Sequence, residues 1–143
     1  MFEINHNDQS FRIKMSATLE NIDTADDKLA EYLTDRKIPV DVFALRIILR
    51  ESLLNAVTHG SGVNPEENVS FDLNIDSSKV TVKVNDNGRG FNWREHTYHD
   101  DNLSEGGRGL ALMKIYSDNM EFNESGNEVT LCKHIKVASS VSE

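Results

Sequence analysis

A single cysteine, Cys132, among 143 residues leaves no disulfide framework and no cysteine-based zinc site to build. Long apolar runs are missing too. The most apolar stretch, residues 42–57, is interrupted by Arg46, Arg50, Glu51 and Asn55, so it is not expected to span a bilayer. The first residues, Met1-Phe2-Glu3-Ile4-Asn5-His6, carry no basic segment followed by an apolar one, which argues against a signal peptide and for a cytoplasmic protein. Positive charge is short: 15 Lys+Arg stand against 24 Asp+Glu, a net charge of −9. That balance argues against non-specific binding of nucleic acid or an anionic membrane. Any phosphate held here must be met by local backbone donors and a few placed cations.

What is present is ordinary for a soluble domain, with 38% apolar and 27% charged residues and only two prolines. A chain of this length buries roughly 68–70% of its unfolded surface and needs no covalent staple. One domain over residues 1–137 is expected, followed by a disordered tail at 138–143.

The periodicity changes along the chain. Phe11, Ile13 and Met15 alternate with Arg12 and Lys14 as in a half-buried strand. Residues 19–36 read as a helix, with Ile22, Ala25, Leu29, Tyr32 and Leu33 on one side and Pro39 as its stop signal. Asp41 is placed to cap a second helix that Gly60 would terminate. Val69, Phe71, Leu73 and Ile75, then Val80, Val82 and Val84, predict a hairpin across Asp76-Ser77-Ser78. Residues 91–105 are polar without a period, residues 110–118 are helical, and a closing strand pair surrounds Gly126-Asn127. The order implies an α+β fold, a two-layer sandwich of a mixed, mostly antiparallel sheet with helices on one face.

Three places stand out chemically. On the second helix, ~100° per residue puts Glu51 and Asn55 in line with Ala44, Ile47 and Ile48, and the same step extends to His59. A carboxylate and an amide on an apolar stripe are costly unless something pairs with them. Either the helix passes from core to surface with Glu51 paired to an arginine, or its face turns into a ligand cleft. In the second case it offers a base and a hard oxygen ligand suited to Mg²⁺. Next, Asp86-Asn87-Gly88-Arg89-Gly90 follows a strand directly. It is a glycine turn, or a place where backbone approaches a flat ligand and Asp86 accepts from a base amine. An EF-hand fails on Ser77 and Lys83, and a dinucleotide fingerprint fails for want of a third glycine. Finally, Gly106-Gly107-Arg108-Gly109 opens a helix, which makes either a hinge or a phosphate site to which Arg108 adds charge. No Walker loop is present. His96, His99, Trp93 and Tyr98 read as ordinary loop residues, and Cys132 as a core residue.

Together and in this order the three motifs resemble the GHKL superfamily of ATPases. Glu51-Ser52-Leu53-Leu54-Asn55-Ala56-Val57-Thr58-His59-Gly60 is similar to its N-box, and Asp86 to Phe91 to its first glycine box. Gly107-Arg108-Gly109-Leu110-Ala111-Leu112-Met113 is similar to its second. The spacing of Glu51, Asn55 and His59 is closest to the bacterial anti-sigma factor and serine-protein kinase branch. The resemblance implies a Bergerat-type ATP-binding fold using ATP and Mg²⁺. Asn55 would hold the metal, Asp86 would take the adenine amine, and Gly88 and Gly90 would lie against the base. Gly107, Arg108, Gly109 and Leu110 would meet the phosphates, residues 91–105 would form a lid, and Glu51 would orient the attacking serine hydroxyl. The partners implied are an anti-anti-sigma (STAS-type) substrate and a sigma factor, with room for a homodimer. One position departs: where the family often has Thr after the glycine of the last strand pair, Asn127 follows Gly126. Two other readings remain. One is a nucleotide-gated binding module with little or no kinase turnover; the other is a detached ATPase domain of a sensor histidine kinase.

Overall fold

Period-two patterning builds the sheet in the computed structural model, which describes residues 1–86 and 105–135. Among these, the strands are β1 (Phe2–His6), β2 (Ser10–Ser16), β3 (Asn68–Ile75), β4 (Lys79–Asp86), β5 (Asn119–Phe122) and β6 (Glu128–His134). They form one sheet in the order β1-β2-β3-β4-β6-β5, and every neighbouring pair is antiparallel. Register aligns one apolar row across all of it: Ile4, Ile13, Phe71, Val84, Val129 and Phe122. Phe11, Met15, Leu73, Val80, Val82 and Leu131 lie buried on the same face, while Arg12, Lys14, Ser70 and Lys83 occupy the other. Three helices cover the apolar face: α1 (Leu19–Asp35), α2 (Val42–Asn55) and α3 (Glu105–Tyr116). This is the two-layer α+β sandwich that the element order implies. The expected tail at 138–143 lies outside the described residues.

β1 and Cys132 are the first departures from the sequence expectation. β1 has only Phe2 and Ile4 as apolar alternation, too little to register alone, and it exists because β2 offers it a partner edge. Cys132 is not a core residue. Val129 and Leu131 point into the core, so period two turns Cys132 to the opposite face, where it is half-buried.

Helix α1 starts at Thr18, whose side chain accepts from the Asn21 amide (3.3 Å). It ends before Pro39 acts. The Lys37 amide donates to Thr34 O and the Ile38 amide to Leu33 O, with Lys37 at φ 53°, a Schellman closure carried by a lysine. An ion-pair cluster ties α1 to α2. Asp26, buried among the apolar residues of α1, accepts from Arg46 Nε (2.8 Å) and from an Arg50 guanidinium nitrogen (3.1 Å). Burial by itself would raise the Asp26 carboxyl, but the hydrogen bonds from Arg46 and Arg50 outweigh it and hold the group below its ordinary value. Its stabilisation is therefore complete above the ordinary carboxylate value of ~3.9 and is lost as pH falls through the lower folded value. Asp26→Asn is expected to cost about 1–3 kcal/mol at pH 7, less than a fully buried pair because both guanidinium groups reach water. Urea unfolding should show that difference shrinking as the pH is taken from 7 toward 3; a constant difference would contradict it.

The second helix opens as expected, with Asp41 accepting from the Ala44 amide (3.0 Å). It does not run on to Gly60 as an α-helix. After Asn55 it widens into a π-helical turn, Ala56–Gly60, closed by the Ser61 amide donating to Ala56 O (2.9 Å). Ala44, Leu45, Ile48, Leu49, Ser52 and Leu53 form the buried stripe of α2, so Ile47 and Glu51 lie at its margin, half-buried. The wider turn also breaks the four-residue step, and His59 is exposed and does not continue the stripe.

Candidate functional site

Two facing elements, the C-terminal half of α2 and the first turn of α3, build the site. Leu110 and Met113 anchor α3 in the core, and Tyr116 meets Phe43 of α2 edge-on with ring centres 5.7 Å apart. This docking turns Gly109 toward the polar end of α2. A Cβ placed on Gly109 would lie 3.0 Å from Glu51 Oε1 and 3.6 Å from Asn55 Oδ1. Glu51 and Asn55 thus both pack against Gly109, whose backbone comes close to them because residue 109 has no side chain.

Asn55 is 7% exposed, and its Nδ2 donates to the thioether of Met113 (3.6 Å). That weak contact turns the amide so that Oδ1 accepts no hydrogen bond among the described residues. An amide oxygen that accepts from no described residue suits a hard cation, and it is the observation on which Mg²⁺ fits here. No group of three or more His, Cys, Asp or Glu among the described residues could hold a metal by itself. A cation at Asn55 would draw on phosphate and water for further ligands, the usual habit of Mg²⁺.

Glu51 has no ion-pair partner within 4 Å among the described residues. Arg50, the neighbour that would provide one, is engaged by Asp23 (2.9 Å) and Asp26. Burial pushes the Glu51 carboxyl above its ordinary value, and the charges of Arg108 and Arg50 draw it part of the way back. A partly desolvated carboxylate without an ion-pair partner among the described residues suits the role of a proton acceptor.

Asp86 ends β4 at 4% exposure, and its amide donates to Asn127 O (2.9 Å). Its carboxylate lies against Gly60, where an added Cβ would overlap it. Gly60 therefore does not serve as a left-handed helix stop; it is needed for room. Asn127 Oδ1 accepts from Asn123 Nδ2 (2.6 Å) and Ser125 Oγ (3.0 Å), so it is held within its own turn. Because α3 begins at Glu105, the amides of residues 105–107 are the ones left without intrahelical acceptors, Gly107 among them. Gly109 and Leu110 lie further in, and Arg108 is exposed beside the opening. Glu105 is helical, while the rest of the expected lid, with Gly88, Gly90, Trp93, His96, Tyr98 and His99, lies outside the described residues.

Residues 15–133 match the sequence model of the histidine kinase-like ATPase domain. The chain belongs to that family. Membership of the histidine kinase-like ATPase domains, a GHKL-type group, makes it an ATP-binding domain with kinase-like or ATPase chemistry, generally with Mg²⁺. A comparison with curated individual proteins found no match. Asp86 is a buried acceptor at the end of β4, and the first turn of α3 carries amides and a positive dipole end of the kind that meets phosphates. Bound ATP would bring the transferable phosphoryl group and the metal its charge neutralisation; the chain itself provides position. No helix among the described residues is long and apolar enough to cross a membrane.

Proposed function

We propose that this ATPase domain is a cytoplasmic serine-protein kinase and anti-sigma factor. It would phosphorylate a serine of an anti-anti-sigma (STAS-type) protein and capture a sigma factor when that partner is modified. One observation carries the kinase part: Glu51 Oε1 and Asn55 Oδ1 come together at Gly109, at the first turn of α3. A carboxylate one helical turn from the metal ligand can accept the proton of a serine hydroxyl as its oxygen attacks phosphorus. Phosphoryl transfer asks mostly for such positioning and for charge neutralisation. The anti-sigma part is supported by the likeness of the Glu51, Asn55 and His59 spacing to that branch.

The kinase reading is tested with labelled ATP, Mg²⁺ and the candidate anti-anti-sigma protein, followed by mapping of the phosphorylated residue. Label on one serine of the partner is the expected result. ATP binding with capture of a sigma factor but no transfer to any partner would favour the nucleotide-gated binding module. Transfer to a histidine would favour the detached sensor-kinase domain.

A further inference from the structure

The guanidinium of Arg50 is held against α1 by two carboxylates. Nη2 lies 2.9 Å from Asp23 Oδ1, and Nη1 donates to Asp26 Oδ2 (3.1 Å). Stability is a poor reason for this double hold. Arg46 already gives Asp26 two hydrogen bonds, from Nε to Oδ1 (2.8 Å) and from Nη2 to Oδ2 (3.1 Å). The Asp23 side chain is 70% exposed, and an ion pair in water stabilises a fold by little. The surroundings of Arg50 supply another reason. Asp23, Arg50 and Glu51 line one cavity of about 310 Å³ between α1 and α2, with Leu19, Ile22 and Leu54 as its apolar walls. Besides Asp23, Glu51 is the one carboxylate among those lining residues. An arginine side chain is long and flexible, so a guanidinium released into this cavity would meet Glu51 next. A guanidinium in contact stabilises the ionised carboxylate and makes it a weaker base.

We propose that Asp23 and Asp26 are positioning residues for the base: together they hold Arg50 against α1, so that Glu51 keeps a free carboxylate for the acceptor hydroxyl. This rests on the kinase reading above. Neither aspartate touches the reacting atoms. The charged groups around Glu51 each have a place in this arrangement. Arg50 of its own helix is held, Asp23 of α1 holds it, and Arg108 of α3 is exposed to water, which screens its charge. Burial raises the Glu51 carboxyl, and the charges of Arg108 and Arg50 already act against it from where they stand. Bringing Arg50 into contact would complete that opposition.

The test compares Asp23→Asn, and Asp23→Asn with Asp26→Asn, each with and without Arg50→Gln, in the full chain. Without Arg50→Gln, kcat for transfer from Mg²⁺-ATP to the serine partner should fall about 3–30-fold in the double variant and less in Asp23→Asn, as a guanidinium in contact weakens the base. KM for the partner and calorimetric affinity for Mg²⁺-ATP should hold. Adding Arg50→Gln should restore the wild-type kcat, a rescue that a merely structural role would not give. A second measurement needs no turnover. Urea unfolding of Arg50→Gln, Glu51→Gln and both together gives the coupling of the two side chains. That coupling should be small beside an intact Asp23 and larger beside Asp23→Asn, a surface substitution expected to leave the fold intact. Unchanged coupling, or a loss of kcat that Arg50→Gln does not reverse, would overturn the proposal. If wild type transfers nothing to any partner, the kinase reading falls, and the unfolding data still decide whether the two aspartates keep Arg50 from Glu51.

Discussion

Replacing Glu51 by glutamine is expected to lower phosphoryl transfer by roughly 10²–10⁴-fold, the range of a positioned base, while ATP still binds. The amide keeps the shape and removes only the proton acceptor. It also removes a negative charge beside the phosphate site, so ATP affinity should hold or tighten slightly. Stability gives an independent sign. The Glu51 carboxyl is raised in the folded protein, so the folded state binds its proton more tightly than the unfolded one. Stability then falls as pH rises from the unfolded value through the folded one, and the deficit persists at neutral pH. Glu51→Gln escapes it and should be at least as stable as wild type at pH 7, which chemical denaturation can read. The acid limb of the wild-type rate should lie above the ordinary value for a glutamate and vanish in the variant. Transfer at the wild-type rate would falsify the role of Glu51.

Gly60→Ala is expected to injure the base pocket more than any change of similar size. Gly60 has no positive φ, so alanine suits its backbone. The obstacle is Asp86, whose carboxylate the new methyl would overlap. The carboxylate must move, at a cost of about 1–3 kcal/mol of overpacking. Losing its aim at the base costs about 1–3 kcal/mol more in ATP affinity, or roughly 5–150-fold. Calorimetry should show that loss together with a lower midpoint of thermal unfolding. Wild-type affinity with an unchanged midpoint would mean that Asp86 does not read the base.

Patterning made most of the sheet and all three helices legible, because burial on one face leaves a period of two or 3.6 in the residues that face it. The alternation at Phe71, Val82 and Leu131 needed no structure to interpret. β1 escaped because an edge strand of five residues has few apolar positions and owes its shape to β2. The polar step from Glu51 to Asn55 was visible as an anomaly on an apolar stripe, and the docking of α3 gives that anomaly a partner in Gly109. His59 was misplaced, since a constant ~100° step does not anticipate a π-helical turn. Ser61 left no signal: that its buried hydroxyl has no partner among the described residues is a fact of packing, and serine after glycine looks like any loop.

A π-helical turn is an α-helical segment holding one residue more than its hydrogen bonds require. The approach of Gly60 to Asp86 is thus set by a phase offset within a single helix. Upstream of Asn55 the register belongs to the core; downstream it brings Gly60 to Asp86. A one-residue deletion between 56 and 60 would restore the plain α-helical phase and carry Gly60 about 100° round the axis, leaving the hydrophobic stripe of α2 intact. Insertions and deletions of this kind alter neither Asn55 nor Asp86, yet they decide whether Gly60 still packs against the Asp86 carboxylate.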